Sequence, residues 1–147
     1  MPVKLDKLPI YFGYAGALPF VLFMLITLLL NEPKHVQLLS FLQLSYGAMI
    51  LSFLGGIHWG QALPSGNNKQ LSFSMVPTVT CLGLMIWTFA VDPVLPLFAM
   101  AALFWIVFKA DQKYMPKDFI SAEYFTFRKR LTMIVVSTLI ISGLVSL

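Results

Sequence analysis

The sequence predicts an all-α membrane protein, five transmembrane helices in one bundle, on three observations. Only 11% of the residues are charged and 59% are hydrophobic, whereas about a quarter of a soluble domain is charged. The apolar residues fall into five long runs separated by short polar connections. The Lys and Arg residues gather on alternate connections, as the positive-inside rule requires. The 147 residues suit a single polytopic domain, 1–147, with no room for a second of useful size.

The first span covers residues 10–30, an uncharged run. The lead before it carries Lys4, Asp6 and Lys7 and lacks the length and Arg/Ser richness of a transit peptide. No small-residue cleavage site ends the run, so it reads as an uncleaved span. The second run, 36–63, is longer than the roughly 20 residues a crossing needs. Its span is placed at 38–63, tilted or beginning outside the hydrocarbon around Gln37 to Gln43. The third span covers 71–91 and the fourth 94–110, whose apolar part, 94–108, is short and borrows from its flanks. Only Asp92 and Pro93 separate these two, which predicts antiparallel spans joined by a tight turn. Pro19 and Pro77 lie inside spans, where neighbouring helices can satisfy the backbone groups a proline frees.

The one substantial loop runs from Lys109 to Arg130. Phe119, Ile120, Tyr124, Phe125 and Phe127 there are mixed with polar residues and lead into a basic end. With Asp118 as cap and Pro116 as breaker, they predict a short interfacial helix before the fifth span. That fifth span covers 129–147 and is apolar from Leu131 onward.

With the N-terminus inside, the inner segments hold Lys4, Lys7, Lys69, Lys109, Lys113, Lys117, Arg128, Lys129 and Arg130, and the outer ones hold Lys34 alone. The predicted topology is therefore N-in/C-out. The net charge of +4 then reads as an orientation signal with some attraction for anionic membrane lipids, and no nucleic-acid partner is expected. Tyr11, Phe12, Tyr14, Trp59, Trp105 and Phe108 fall near the inner interface, and Trp87 and Phe89 near the outer one, where aromatic rings anchor helices.

The most informative stretch is Tyr46 to Leu63. At about 100° per residue, Ala48, Ser52, Gly56 and Gly60 form one narrow stripe of small side chains, suited to close helix packing in lipid. Trp59 falls within the stripe, and His58 lies on another face with Leu51 and Gly47. A titratable ring so deep in an apolar helix faces the bundle interior or a wet cavity. The topology brings His58 to the inner level, where Asp111 ends the fourth span and Arg128 and Arg130 begin the fifth. His58, Trp59, Asp111 and Arg130 are accordingly expected to form a polar cluster or ligand pocket. A carboxylate beside an imidazole fixes its tautomer and favours the imidazolium. The same set could instead be a structural contact that locks helix packing.

Several chemistries are excluded. Cys81 is the lone cysteine, which rules out an intramolecular disulfide and suits a packing role. His35 and His58 lie near opposite faces and cannot share one haem iron. Zinc lacks clustered ligands, so no metal site is expected. Neither a Ser-His-Asp motif nor a glycine-rich phosphate loop is present, and no catalytic residue is expected. Five spans without repeats or mid-membrane acids argue against a stand-alone transporter.

GYAGALPF from Gly13, YGAMILSFLGGIHWG from Tyr46, SMVP from Ser74, Asp111 and RLT from Arg130 together resemble the DUF3429 family. The resemblance runs from about Pro9 to Gly143, and LSFLGGIHWG is its most specific part. It implies a small polytopic protein of bacterial inner membranes with mitochondrial relatives, and it carries no established activity. The short lead before the first span favours the bacterial location. Two functions follow. The favoured one is an accessory or assembly subunit, packed against a larger, respiratory-type membrane complex or a second copy of itself. The alternative is a protein that binds a quinone or lipid headgroup at an inner-leaflet site centred on His58.

Overall fold

In the computed structural model, which describes residues 6–30, 32–117 and 120–147, the chain forms five α-helices. They are α1 (Lys7–Leu30), α2 (Pro33–Ser65), α3 (Asn68–Ala90), α4 (Val94–Tyr114) and α5 (Ala122–Val145). The caps explain the breaks. Pro33 occupies the first turn of α2, where its missing N–H costs nothing. Gly66 ends that helix with φ 63°, and its N–H and that of Asn67 return to the Leu63 and Ala62 carbonyls. Asn67 Oδ1 then accepts the Gln70 N–H at 3.1 Å and starts α3. Asp92 Oδ1 accepts the Val94 N–H at 2.9 Å, so the turn between α3 and α4 is tight and the two are separate helices.

The predicted interfacial helix is not a separate element. Residues 122–130 are the first turns of an uninterrupted α5, capped by Ser121, whose Oγ accepts the Tyr124 N–H at 3.3 Å. Asp118 and Phe119, expected to start that helix, lie outside the described residues. The helix continues because Ser121 supplies a cap and nothing between Ala122 and Val145 breaks it.

Helices α1 to α4 are long and apolar enough to cross a membrane. Arg128, Lys129 and Arg130 keep α5 from meeting that composition. The protein is thus a multi-pass helical membrane protein. Helix α2, at 33 residues, is about 50 Å long and exceeds the hydrocarbon thickness of roughly 30 Å.

The helices alternate up and down. Gly13 of α1 meets Phe127 of α5, and His58 of α2 meets Gln70 of α3 and Asp111 of α4 at the same end. At the other end, Ser40 and Ser146 approach to 3.5 Å, and Pro33, Asp92 and Leu147 border one cleft. Helix α5 therefore runs the length of the bundle. Of the described cations, only Lys34 lies at the Ser40 end.

Leu44, Leu51, Leu97, Met100, Val107 and Leu139 are fully buried and form the centre of the core. Phe20 stands edge-on to Tyr46 and Phe104, with ring centres 5.1 and 5.6 Å away. Close approach depends on glycine at two places. A Cβ on Gly55 would strike the Ser74 carbonyl, and one on Gly13 would strike the Phe127 ring. The predicted small-residue stripe is not the face of α2 that packs within the bundle. Gly56 and Gly60 are exposed with nothing within 4 Å of an added Cβ. Ser52 does meet Thr78 at 3.2 Å, and Ala48 borders the core. The packed face of α2 instead carries Gly47, Leu51, Leu54, Gly55, His58 and Ala62.

Candidate functional site

Complete burial and charge single out one cluster, at the cationic end of the bundle. His58 and Asp111 are both 0% exposed, and His58 Nε2 lies 3.0 Å from Asp111 Oδ1. Helix α2 supplies the ring from its packed face, and α4 supplies the carboxylate from its last turn. Asp111 Oδ2 faces Arg128 Nε of α5 at 3.0 Å. Oδ2 has no well-aligned hydrogen bond, so this second contact is mainly a charge pairing. Arg128 is 8% exposed, and its Nη1 reaches Thr132 Oγ1 at 3.5 Å.

Gln70 completes the cluster from α3. Its Nε2 lies 3.2 Å from both His58 Nδ1 and Gln61 Oε1, so the amide can donate one hydrogen to each. Nδ1 is then an acceptor, and the ring proton sits on Nε2 and is donated to Asp111. Phe73 and Tyr114 stand edge-on to the imidazole at 5.6 and 6.1 Å and close its flanks. Tyr124, in the first turn of α5, stands near the guanidinium.

Chemically, the arrangement is an internal clamp. One carboxylate accepts from an imidazole and faces a guanidinium, while a glutamine holds the far side of the ring. All four helices α2 to α5 contribute to it, α2 with both His58 and Gln61 and the others with one residue each. No group of three or more His, Cys, Asp and Glu is arranged to hold a metal among the described residues.

The structure brings His58 and Asp111 together and leaves out the other two residues expected with them. Arg130 is exposed, and Arg128 takes its place. On α5 the buried face runs through Thr132, Val135, Leu139 and Ser142. Read back by one turn, that face lands on Arg128 and not on Arg130, a signal present in the sequence. Trp59 is 42% exposed and points away; the aromatic wall is Phe73 and Tyr114. Gln70 was not anticipated, and its place follows from the capped turn after Gly66.

A family model described as a protein of unknown function, DUF3429, matches residues 5–144. The chain belongs to the DUF3429 family. It is similar to Transmembrane protein 69 of Xenopus tropicalis, 37% identical over 82 residues that cover 55% of this chain and 31% of that protein. Transmembrane protein 69 of Mus musculus is 41% identical over 79 residues, covering 48% of this chain and 30% of that one. The aligned stretch spans under a third of each of these curated relatives. No solved structure matches this DUF3429 chain. The family match covers every member of the clamp: His58, Gln61, Gln70, Asp111 and Arg128.

Proposed function

We propose that the protein is a five-span, N-in/C-out accessory protein that packs against a larger membrane assembly and catalyses no reaction itself. The observation that carries this reading is the closure of the buried ionisable cluster around Asp111. A catalytic acid or base must reach a substrate. His58 and Asp111 are 0% exposed and already partnered within the protein. A headgroup site centred on His58 is disfavoured for the same reason. Locking α2 to α5 together is the role that this cluster suits.

Topology rests on charge. Lys7, Lys69, Lys109, Lys113, Lys117 and the Arg128–Arg130 triplet share one end, which the positive-inside rule assigns to the cytoplasm. Helix α5 serves as the fifth span, with Arg128 held by Asp111 at the inner interface and Ser146 beside Ser40 at the outer one. The charge bias suits a bacterial inner membrane, the proposed location. Reporter fusions at the two termini should fall on opposite sides of the membrane, and like-sided termini would remove the fifth crossing.

The surface offered to a partner is the side of α2 that carries Gly56 and Gly60, where an added Cβ meets nothing within 4 Å. A G56L/G60L double variant should keep the monomer fold and lose a stoichiometric partner on purification in mild detergent. Isolation of the native protein as a lone monomer from its own membranes would end the accessory reading.

A further inference from the structure

We propose that a lateral cleft between α1, α2 and α5 seats one acyl chain of an anionic phospholipid, with its phosphate on Arg128. This site adjoins the partner surface, because Phe53 shares a face of α2 with Gly56 and Gly60, but it does not depend on the accessory reading. The cleft has a volume of about 300 Å³. Its walls are apolar, with Phe12, Ala17, Phe20, Phe53 and Leu54 among them. Its polar side chains come from α5, where Tyr124, Arg128 and Thr132 stand on successive turns.

Arg128 is the second, independent observation. Its side chain is only 10% exposed, and its donors are unevenly used. Nε faces Asp111 and Nη1 reaches Thr132, while the buried Nη2 makes no well-aligned hydrogen bond, with the Tyr124 phenol beside the guanidinium. A buried guanidinium nitrogen without a well-aligned acceptor is a site that an oxygen ligand would complete.

The rest of the geometry selects the ligand class. Arg128 lies just before the apolar part of α5, so it sits at headgroup depth in a bilayer. Lys129 and Arg130 add positive charge on the next two positions, which favours an anion over a neutral oxygen. Phosphate suits a guanidinium through charge-assisted hydrogen bonds. The volume is at the low end for ligand pockets and suits one chain. Phe12 and Phe53, each 68% exposed, flank the mouth and leave a second chain in the bilayer.

Gly16 gives the clean test, because it lines the cleft and an added Cβ there meets nothing within 4 Å. The full chain in neutral detergent would be titrated with phosphatidylglycerol, phosphatidylcholine, a neutral quinone or inorganic phosphate, and binding read by native mass spectrometry and thermal shift. Phosphatidylglycerol should bind and raise Tm. Phosphatidylcholine and the quinone should bind at least about tenfold more weakly, and phosphate alone should give no shift. Gly16→Leu should fill the cleft, leave the lipid-free Tm unchanged or slightly raised, and lose phosphatidylglycerol. Arg128→Lys, which keeps a charge opposite Asp111 and removes Nη2, should erase the preference for the anionic lipid. Wild-type binding by Gly16→Leu would overturn the cleft, and so would an equal shift from phosphate alone. Equal affinity for phosphatidylcholine or the quinone would overturn the role of Arg128. If Arg128→Lys fails to fold, the Gly16→Leu result and the lipid comparison decide.

Discussion

The two ends of the bundle bury polar side chains with different degrees of pairing. At the cationic end, His58, Gln70, Gln61 and Asp111 are joined by hydrogen bonds, and Arg128 by charge. At the other end, Gln43 is 0% exposed, and neither of its amide atoms has a hydrogen-bond partner. Ser142 Oγ is likewise buried and unpartnered, and the Ser40–Ser146 contact is a long 3.5 Å. Burial alone therefore does not reveal what a polar residue contributes. The network at the cationic end leaves Asp111 Oδ2 and Arg128 Nη2 without well-aligned hydrogen bonds, but it is joined by other hydrogen bonds and by charge and so fixes how helices meet. The Gln43 amide, in contrast, has no polar partner at all and lowers stability.

Four measurements would break or sharpen that contrast. The largest effect is expected from Asp111→Ala, which leaves a guanidinium and an imidazole buried without their shared partner. It should cost about 3–5 kcal/mol of stability, read from unfolding in detergent. Arg130→Gln, two positions from Arg128 but exposed, should stay within about 0.5 kcal/mol. A loss under about 1 kcal/mol for Asp111→Ala would mean that the clamp does not hold the fold.

Next comes Gly55→Ala. Its Cβ would press on the Ser74 backbone carbonyl, which cannot swing aside as a side chain can, so about 1–3 kcal/mol should be lost. Gly56→Ala, one residue on, faces open space and should gain up to about 1 kcal/mol from helix propensity. Equal effects at the two positions would contradict the α2–α3 approach.

Gln43→Leu tests the opposite end. It removes two unpaired amide atoms and should raise stability by about 1 kcal/mol, whereas Gln70→Leu should lower it by a similar amount. If both changes lower stability, the two ends are alike. The smallest effect should come from Gly16→Leu without added lipid, a gain of up to about 1 kcal/mol or none, measured as a thermal midpoint.

Much of the site was legible before any coordinates. Five apolar runs and one-sided cations place His58 and Asp111 at one level, because helices that alternate in direction must bring those two ends together. Choosing between Arg128 and Arg130 was harder. Both lie at that level, and only the rotation of α5 about its axis separates them. Trp59's absence from the cluster, and the absence of Gly56 and Gly60 from the face packed within the bundle, have the same cause. The repeat in α2 is real, but a residue-by-residue pattern does not say which face meets which neighbour. Gly55 and Gly47 do the packing, one position before Gly56 and Ala48.

What the sequence determined by itself was the solvent and the axial order. Uncharged runs longer than a crossing require lipid, backbone groups in lipid require helices, and the cations sort the ends. Only the tertiary structure decided the rotational settings: Arg128 facing Asp111, Phe73 and Tyr114 flanking the imidazole, and Nη2 left without a well-aligned acceptor. The reason is that helix position along the membrane normal follows from hydropathy, a property of the chain alone. Rotation follows from side-chain shape against neighbours, which exists only once the helices have met.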